Sequence, residues 1–140
     1  MKSMADIGNY QGLRLRNAAA VAFAALDEYG FRLRDSQLDA WRGASVVAAN
    51  DTVVIAVEAD WYERELSVSV QVEGAKPLPV EILIPELRGV TRLLPRNARR
   101  GVLQRRLDRI VEALRSQAPT VLEGGHEALA WVLKAGAERM

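Results

Sequence analysis

A chain of 140 residues, 49% apolar and 26% charged, suits one folded domain with a substantial core and excludes a disordered one. Cysteine is absent, which rules out disulfides and thiolate metal ligation, and the formal net charge of +1 excludes a chain that is basic overall. No apolar run approaches the ~20 residues needed to cross a bilayer, and the polar first eleven residues lack the core of a signal peptide, so a cytoplasmic location with no membrane association is expected.

Residues 1–11 read as a flexible leader and residues 12–140 as a single domain. Leu13 to Tyr29 has helical periodicity: Leu15, Ala19, Ala22, Leu26 and Tyr29 share one face, with Phe23 beside them. Gly30 stands where a left-handed stop is wanted, and Phe31 supplies the hydrophobic contact that accompanies one. Phe31 and Leu33 alternate with Arg32 and Arg34 as a short extended piece. Residues 35–43 read as a loop or a single helical turn anchored by Leu38 or Trp41.

The stretch from Ser45 to Val72 organises the rest. Leu66, Val68, Val70 and Val72 alternate with Ser67, Ser69 and Gln71, the period of two of a strand with one apolar face. Val53, Ile55, Val57 and Ala59 form the same pattern upstream. With Trp61 to Arg64 as the connection, Ala59 faces Leu66, Val57 faces Val68, Ile55 faces Val70 and Val53 faces Val72. A one-residue slip would break every match. Asn50-Asp51 tolerate a left-handed backbone and suit a two-residue hairpin, which would set Ala48 opposite Val53 and Val46 opposite Ile55. Val80, Ile82 and Ile84 read as a fourth strand, at an edge because Pro77, Pro79 and Pro85 flank it.

Glu86 to Asn97 is irregular. Ala98 to Gln117 is a helix carrying Leu103, Leu107, Ile110, Val111 and Leu114 at helical spacing, and Pro119 ends it. After Gly124-Gly125, His126 to Glu138 forms a last helix with Leu129, Val132 and Leu133 inward and Trp131 to the side. The fold class expected is α+β: an antiparallel four-stranded meander sheet with one N-terminal and two C-terminal helices packed on one face.

Three groups of residues invite a functional reading. Glu58, Asp60, Glu63 and Glu65 crowd the second hairpin, and its register sets Asp60 opposite Glu65, an unfavourable pair unless a cation sits nearby. Arg64, a divalent cation or a basic partner surface would each answer it; the plainer reading is a solvated tip. Trp61 and Tyr62 sit at the same tip and are residue types enriched at binding hot spots, although Trp61 has the parity of a core cap. Nine arginines lie between Arg88 and Arg115, opposed by Asp108 and Glu112 alone. Among them Arg96, Arg99, Arg100, Arg105, Arg106 and Arg109 are candidates for binding nucleic-acid phosphates, against the reading of a solvated helix face. No interleaved aromatics accompany them for base stacking. His126, the one histidine, reads as a capping or surface residue. The chain holds no P-loop, G-x-S-x-G or H-E-x-x-H, and no nucleophile, acid and base set can be assembled from it.

The run Tyr29-Gly30-Phe31 followed by Val46 to Val72, together with Ala118-Pro-Thr-Val-Leu-Glu-Gly-Gly-His-Glu-Ala-Leu129, resembles small uncharacterised bacterial α+β proteins, some of them reminiscent of immunity proteins that neutralise polymorphic toxins. That resemblance implies a non-enzymatic binding role and transfers no functional residue. The expectation is therefore a small protein-binding module without a cofactor or metal, contacting its partner through Glu58, Asp60, Trp61, Tyr62, Glu63 and Glu65. The alternative is nucleic-acid binding through the arginine-rich helix. The outer sheet face (Val47, Val54, Ala56, Ser67, Ser69) is small and moderately apolar, and is either solvated or an isologous dimer contact.

Overall fold

The first helix, α1 (Met4–Phe23), tightens into a 3-10 turn over Ala24–Tyr29 and stops at Gly30, whose φ of 80° is left-handed. The Gly30 N–H donates to the Asp27 carbonyl and the Phe31 N–H to the Leu26 carbonyl, the paired bonds of a Schellman stop. Phe31, 2% exposed, supplies its hydrophobic contact. The helix begins well before Leu13 and takes in much of the stretch read as a leader. The molecule is known from a computed structural model, which describes residues 4–39, 43–90, 94 and 100–138.

The fold is α+β. Its antiparallel sheet is a meander in the order β1-β2-β3-β4-β5, made of β1 (Arg32–Asp39), β2 (Gly43–Ala49), β3 (Val53–Asp60), β4 (Glu65–Val72) and the short β5 (Leu78–Pro79). The β3–β4 register is the one the alternation demands, from Val53 opposite Val72 to Asp60 opposite Glu65. Ala44, Val46 and Ala48 of β2, Val53, Ile55, Val57 and Ala59 of β3, and Leu66, Val68, Val70 and Val72 of β4 are all buried on the inner face.

Three expectations need correction. The β2–β3 register is displaced by two residues: Ala48 lies opposite Ile55 and Val46 opposite Val57. Parity is kept, so the buried face is the expected one, but Asn50-Asp51 is not a two-residue left-handed turn. Arg64 is the only non-glycine with positive φ among the described residues. The Asn50 side chain builds the turn instead, its Oδ1 accepting from the N–H groups of Thr52 (3.0 Å) and Val53 (2.8 Å).

Secondly, residues 32–39 form a full strand rather than a short piece and a loop. Its alternation is hidden because the pairing shifts between Leu33 and Asp35, a β-bulge that leaves Arg34 as the extra residue. Trp41, offered as an anchor, lies outside the described residues. Thirdly, Val80 to Leu83 is a helical turn, α2 (Val80–Leu83), followed by a 3-10 turn over Pro85–Gly89. The strand here is only Leu78–Pro79, paired with Val70 and Ser69. Val80, Ile84 and Leu87 are the buried residues, a helical spacing that a short apolar run does not distinguish from alternation.

The remaining helices are α3 (Arg100–Gln117), α4 (Pro119–Glu123) and α5 (Gly125–Glu138). Leu103, Leu107, Ile110, Val111 and Leu114 are buried along one stripe of α3. Pro119 both ends α3 and starts α4, because a first-turn residue needs no N–H donor. In α5, Ala128 and Val132 are buried and Leu129 is half-buried, while Leu133, expected inside, is 56% exposed. The α1 helix packs on β1, β2 and α3, α4 touches β3, and α5 lies against β4 and α2. Through α1, α4 and α5 the helices cover the valine-rich face, α3 packs on α1 and α4, and no described helix is placed against the opposite face. No described helix is long and apolar enough to cross a membrane.

Candidate functional site

The outer sheet face is a set of cross-strand rows. Val47, Ala56 and Ser69 form one row, Ser45, Glu58 and Ser67 the next, and Gly43, Asp60 and Glu65 the last before the β3–β4 turn. The two-residue displacement decides this arrangement. It carries Gly43 opposite Asp60 and Ser45 opposite Glu58, where the expected turn would have set Ser45 beside Ala56. Gly43, Ser45, Glu58, Asp60, Glu65 and Ser67, the last two rows, line a shallow open depression of about 480 Å3. At Gly43 a Cβ would collide with the Ala59 carbonyl, so the floor admits no side chain there.

The tip is a four-residue turn, Trp61 to Arg64, with Arg64 in the left-handed region at φ 56°. The Asp60 carboxylate accepts a hydrogen bond from the Glu63 N–H at 2.9 Å, so one oxygen of the like-charge pair has a structural task. The Arg64 carbonyl accepts from the N–H of buried Leu94, which ties the tip to the segment ahead of α3. Trp61 packs against the core, as its parity indicates, and its buried indole N–H finds no acceptor among the described residues. Tyr62 is 75% exposed, the most exposed large apolar side chain described.

Glu58, Glu63 and Glu65 are exposed, and neither they nor Asp60 form an ion pair among the described residues. Arg64, the nearest cation in sequence, also lacks an ion pair with them. The like-charge pair expected from the register is therefore present and is not neutralised within the described part of the molecule. No group of three described His, Asp or Glu residues is placed to hold a metal ion.

The arginine stripe is less uniform than its sequence. Arg96 and Arg99 lie outside the described residues, and Arg100 opens α3. Arg105 and Arg109 are exposed, but Asp108 and Glu112 share that side of the helix. Arg106 turns toward the Val90 carbonyl at 3.4 Å, and Arg115 pairs with Glu28 at 3.2 Å across to the end of the first helical segment. His126 is exposed on the first turn of α5. A second open depression, about 510 Å3, lies between α2 and α5, with Ile82, Leu83 and Trp131 in its wall.

Sequence reasoning missed the β2 contribution to the acidic rows. The signal was the parity of Gly43 and Ser45, which points outward, but their partners depended on the β2–β3 turn. No protein-family model matches the chain, and neither any curated protein nor any solved structure matches it.

Proposed function

We propose that the chain is a non-enzymatic protein-binding module whose β3–β4 tip docks on a basic surface of another protein. The observation that carries this reading is the conjunction, at one hairpin, of four carboxylates without an ion pair among the described residues and a 75% exposed tyrosine. Like charges held directly opposite cost stability, and a cationic partner converts that cost into binding energy and orientation. Tyr62 supplies large, rigid contact area, and Trp61, seated in the core, fixes the tip from below. Neutralisation of a toxic partner, as in immunity proteins, is one concrete form of such a role. Basic side chains would enter the depression between Ser45, Glu58 and Ser67.

The test is affinity capture on the immobilised chain and on a D60N/E65Q variant, with and without nuclease, the captured protein then titrated against both. The reading expects a stoichiometric protein that resists nuclease, binds the variant at least about tenfold more weakly, and binds less tightly as salt rises. Equal binding to both forms would remove the hairpin. A partner set lost entirely on nuclease treatment would move the proposal to Arg105, Arg109 and the rest of the arginine helix.

A further inference from the structure

We propose that the outward stripe of α5 is a self-association surface, on which a second copy of the chain lays its own α5 antiparallel, about a two-fold axis between Ala130 and Leu133. A surface helix normally carries charged and polar residues on the side away from the core. The exposed side of α3 does so, with Arg105, Asp108, Arg109 and Glu112. Residues 128–137 of α5 carry one polar side chain, Lys134, among Ala, Leu, Trp, Val and Gly. The fold covers one side of this helix. Ala128 and Val132 are buried, Leu129 and Ala135 are half-buried against the same core, and a Cβ on Gly74 would lie 3.4 Å from Leu129. Ala130, Leu133 and Ala137 are left exposed, Leu133 at 56%. A helix apolar on nearly every side is the pattern of one enclosed all round.

The placement of two charges selects a second copy as the occupant. His126, Ala130, Leu133 and Ala137 follow at intervals of four, three and four, the spacing of one seam along a helix, and all are exposed. Glu127 and Lys134 each follow a seam residue by one position, so both flank the seam on the same side, one heptad apart. Neither forms an ion pair among the described residues. In an antiparallel pair centred between Ala130 and Leu133, Ala130 meets the partner's Leu133 and His126 the partner's Ala137. Glu127 of each copy then comes beside the partner's Lys134. Every one of these contacts occurs twice, as an isologous interface requires. The alanines let the two helix axes approach closely, and each leucine seats on the partner's alanine.

Other arrangements of the same seam are poor. A slip of one heptad in one direction sets Glu127 beside the partner's Glu127, and in the other Lys134 beside the partner's Lys134. A parallel pair leaves both charges unmatched, because each flank then faces the partner's opposite flank, where Leu129 and Gly136 stand. One antiparallel register alone joins the apolar seam to opposite charges, and the chain it requires as partner is this same sequence. The interface is also remote from the acidic tip. Leu129 lies by Gly74, past the Val72 end of β4, whereas the tip lies past the Glu65 end of the same strand. Dimerisation and docking at the tip are therefore separable.

The test is sedimentation equilibrium on the full chain, as wild type, L133E, E127K, K134E and the double E127K/K134E, each with its circular dichroism compared with the wild type. Leu133 is exposed in the single chain, so L133E should keep the fold while removing two leucine–alanine contacts from each dimer. The proposal expects a reversible wild-type dimer, with a dissociation constant raised about thirtyfold or more by L133E and about fivefold or more by either single reversal. The double reversal restores both opposite-charge pairs and should return to within about threefold of wild type. D60N/E65Q should dimerise as the wild type does. A chain still monomeric at about 0.5 mM, a dimer indifferent to L133E, or one weakened by the single reversals without recovery in the double would overturn the proposal.

Discussion

The side-chain amide of Asn50 donates to the Leu122 carbonyl at 3.2 Å, across 72 positions of sequence, and to the Tyr29 carbonyl at 2.9 Å. Both carbonyls end helical segments and lack a partner within them. The same side chain accepts from the N–H groups of Thr52 and Val53, so one residue joins the β2–β3 turn to two helix ends. Replacing Asn50 by Ala should cost about 2–4 kcal/mol, since partly buried groups on both sides lose partners. Asn50→Asp should cost at least as much, because a carboxylate keeps the acceptor but cannot donate to two carbonyls. Urea unfolding midpoints of the two variants check this; an aspartate variant of wild-type stability would contradict it.

Gly124 closes α4 with φ 76° and ψ −167°, a conformation essentially reserved for glycine. A Cβ there would run into Thr52 Oγ1 and lie 3.1 Å from Thr52 Cβ. Gly124→Ala is therefore expected to cost about 2–4 kcal/mol, combining backbone strain with collision. Adding Thr52→Ala should return part of that loss and leave the backbone portion. Thermal melts of the single and double variants separate the two contributions.

The Asp60–Glu65 pair makes a prediction about stability that does not depend on any partner. Glu65→Lys turns a like-charge cross-strand pair into an opposite one and should stabilise by roughly 0.2–1 kcal/mol. Glu65→Gln should give a smaller gain of the same sign. Raising ionic strength should stabilise the wild type by screening and have less effect on Glu65→Lys. Asp60→Ala should be the unfavourable substitution at this tip, since it removes the acceptor for the Glu63 N–H. Denaturant titrations at low and high salt measure all four.

Trp61 offers a test of burial against hydrogen bonding. Its ring covers the end of the core, while its N–H has no acceptor among the described residues. Trp61→Ala should cost about 3–5 kcal/mol from lost packing. Trp61→Phe keeps most of the apolar contact and removes a buried donor worth about 1–3 kcal/mol of desolvation, so its net change should be far smaller. A phenylalanine variant as unstable as the alanine one would show that the indole N–H does have a partner.

Which face of the sheet is buried, and the whole β3–β4 register, could be read from the sequence alone. Alternation at period two is a local property, and the turn Trp61 to Arg64 fixes the register within a single hairpin. The α3 stripe and the stop at Gly30 were legible for the same reason, since each rests on residues within a few turns of one another. The like-charge pair of the candidate site followed directly from that hairpin. The tertiary structure alone decided the β2–β3 register, because Asn50 sets it with partners at Tyr29 and Leu122 that no local pattern reveals. It also decided that Arg32 to Asp39 is a strand, since the bulge at Arg34 breaks the alternation and pairing with β2 supplies the order that side-chain pattern does not. At Val80 to Leu83, alternation and helical spacing fit the same few apolar residues equally well, and burial against the core chose the helix.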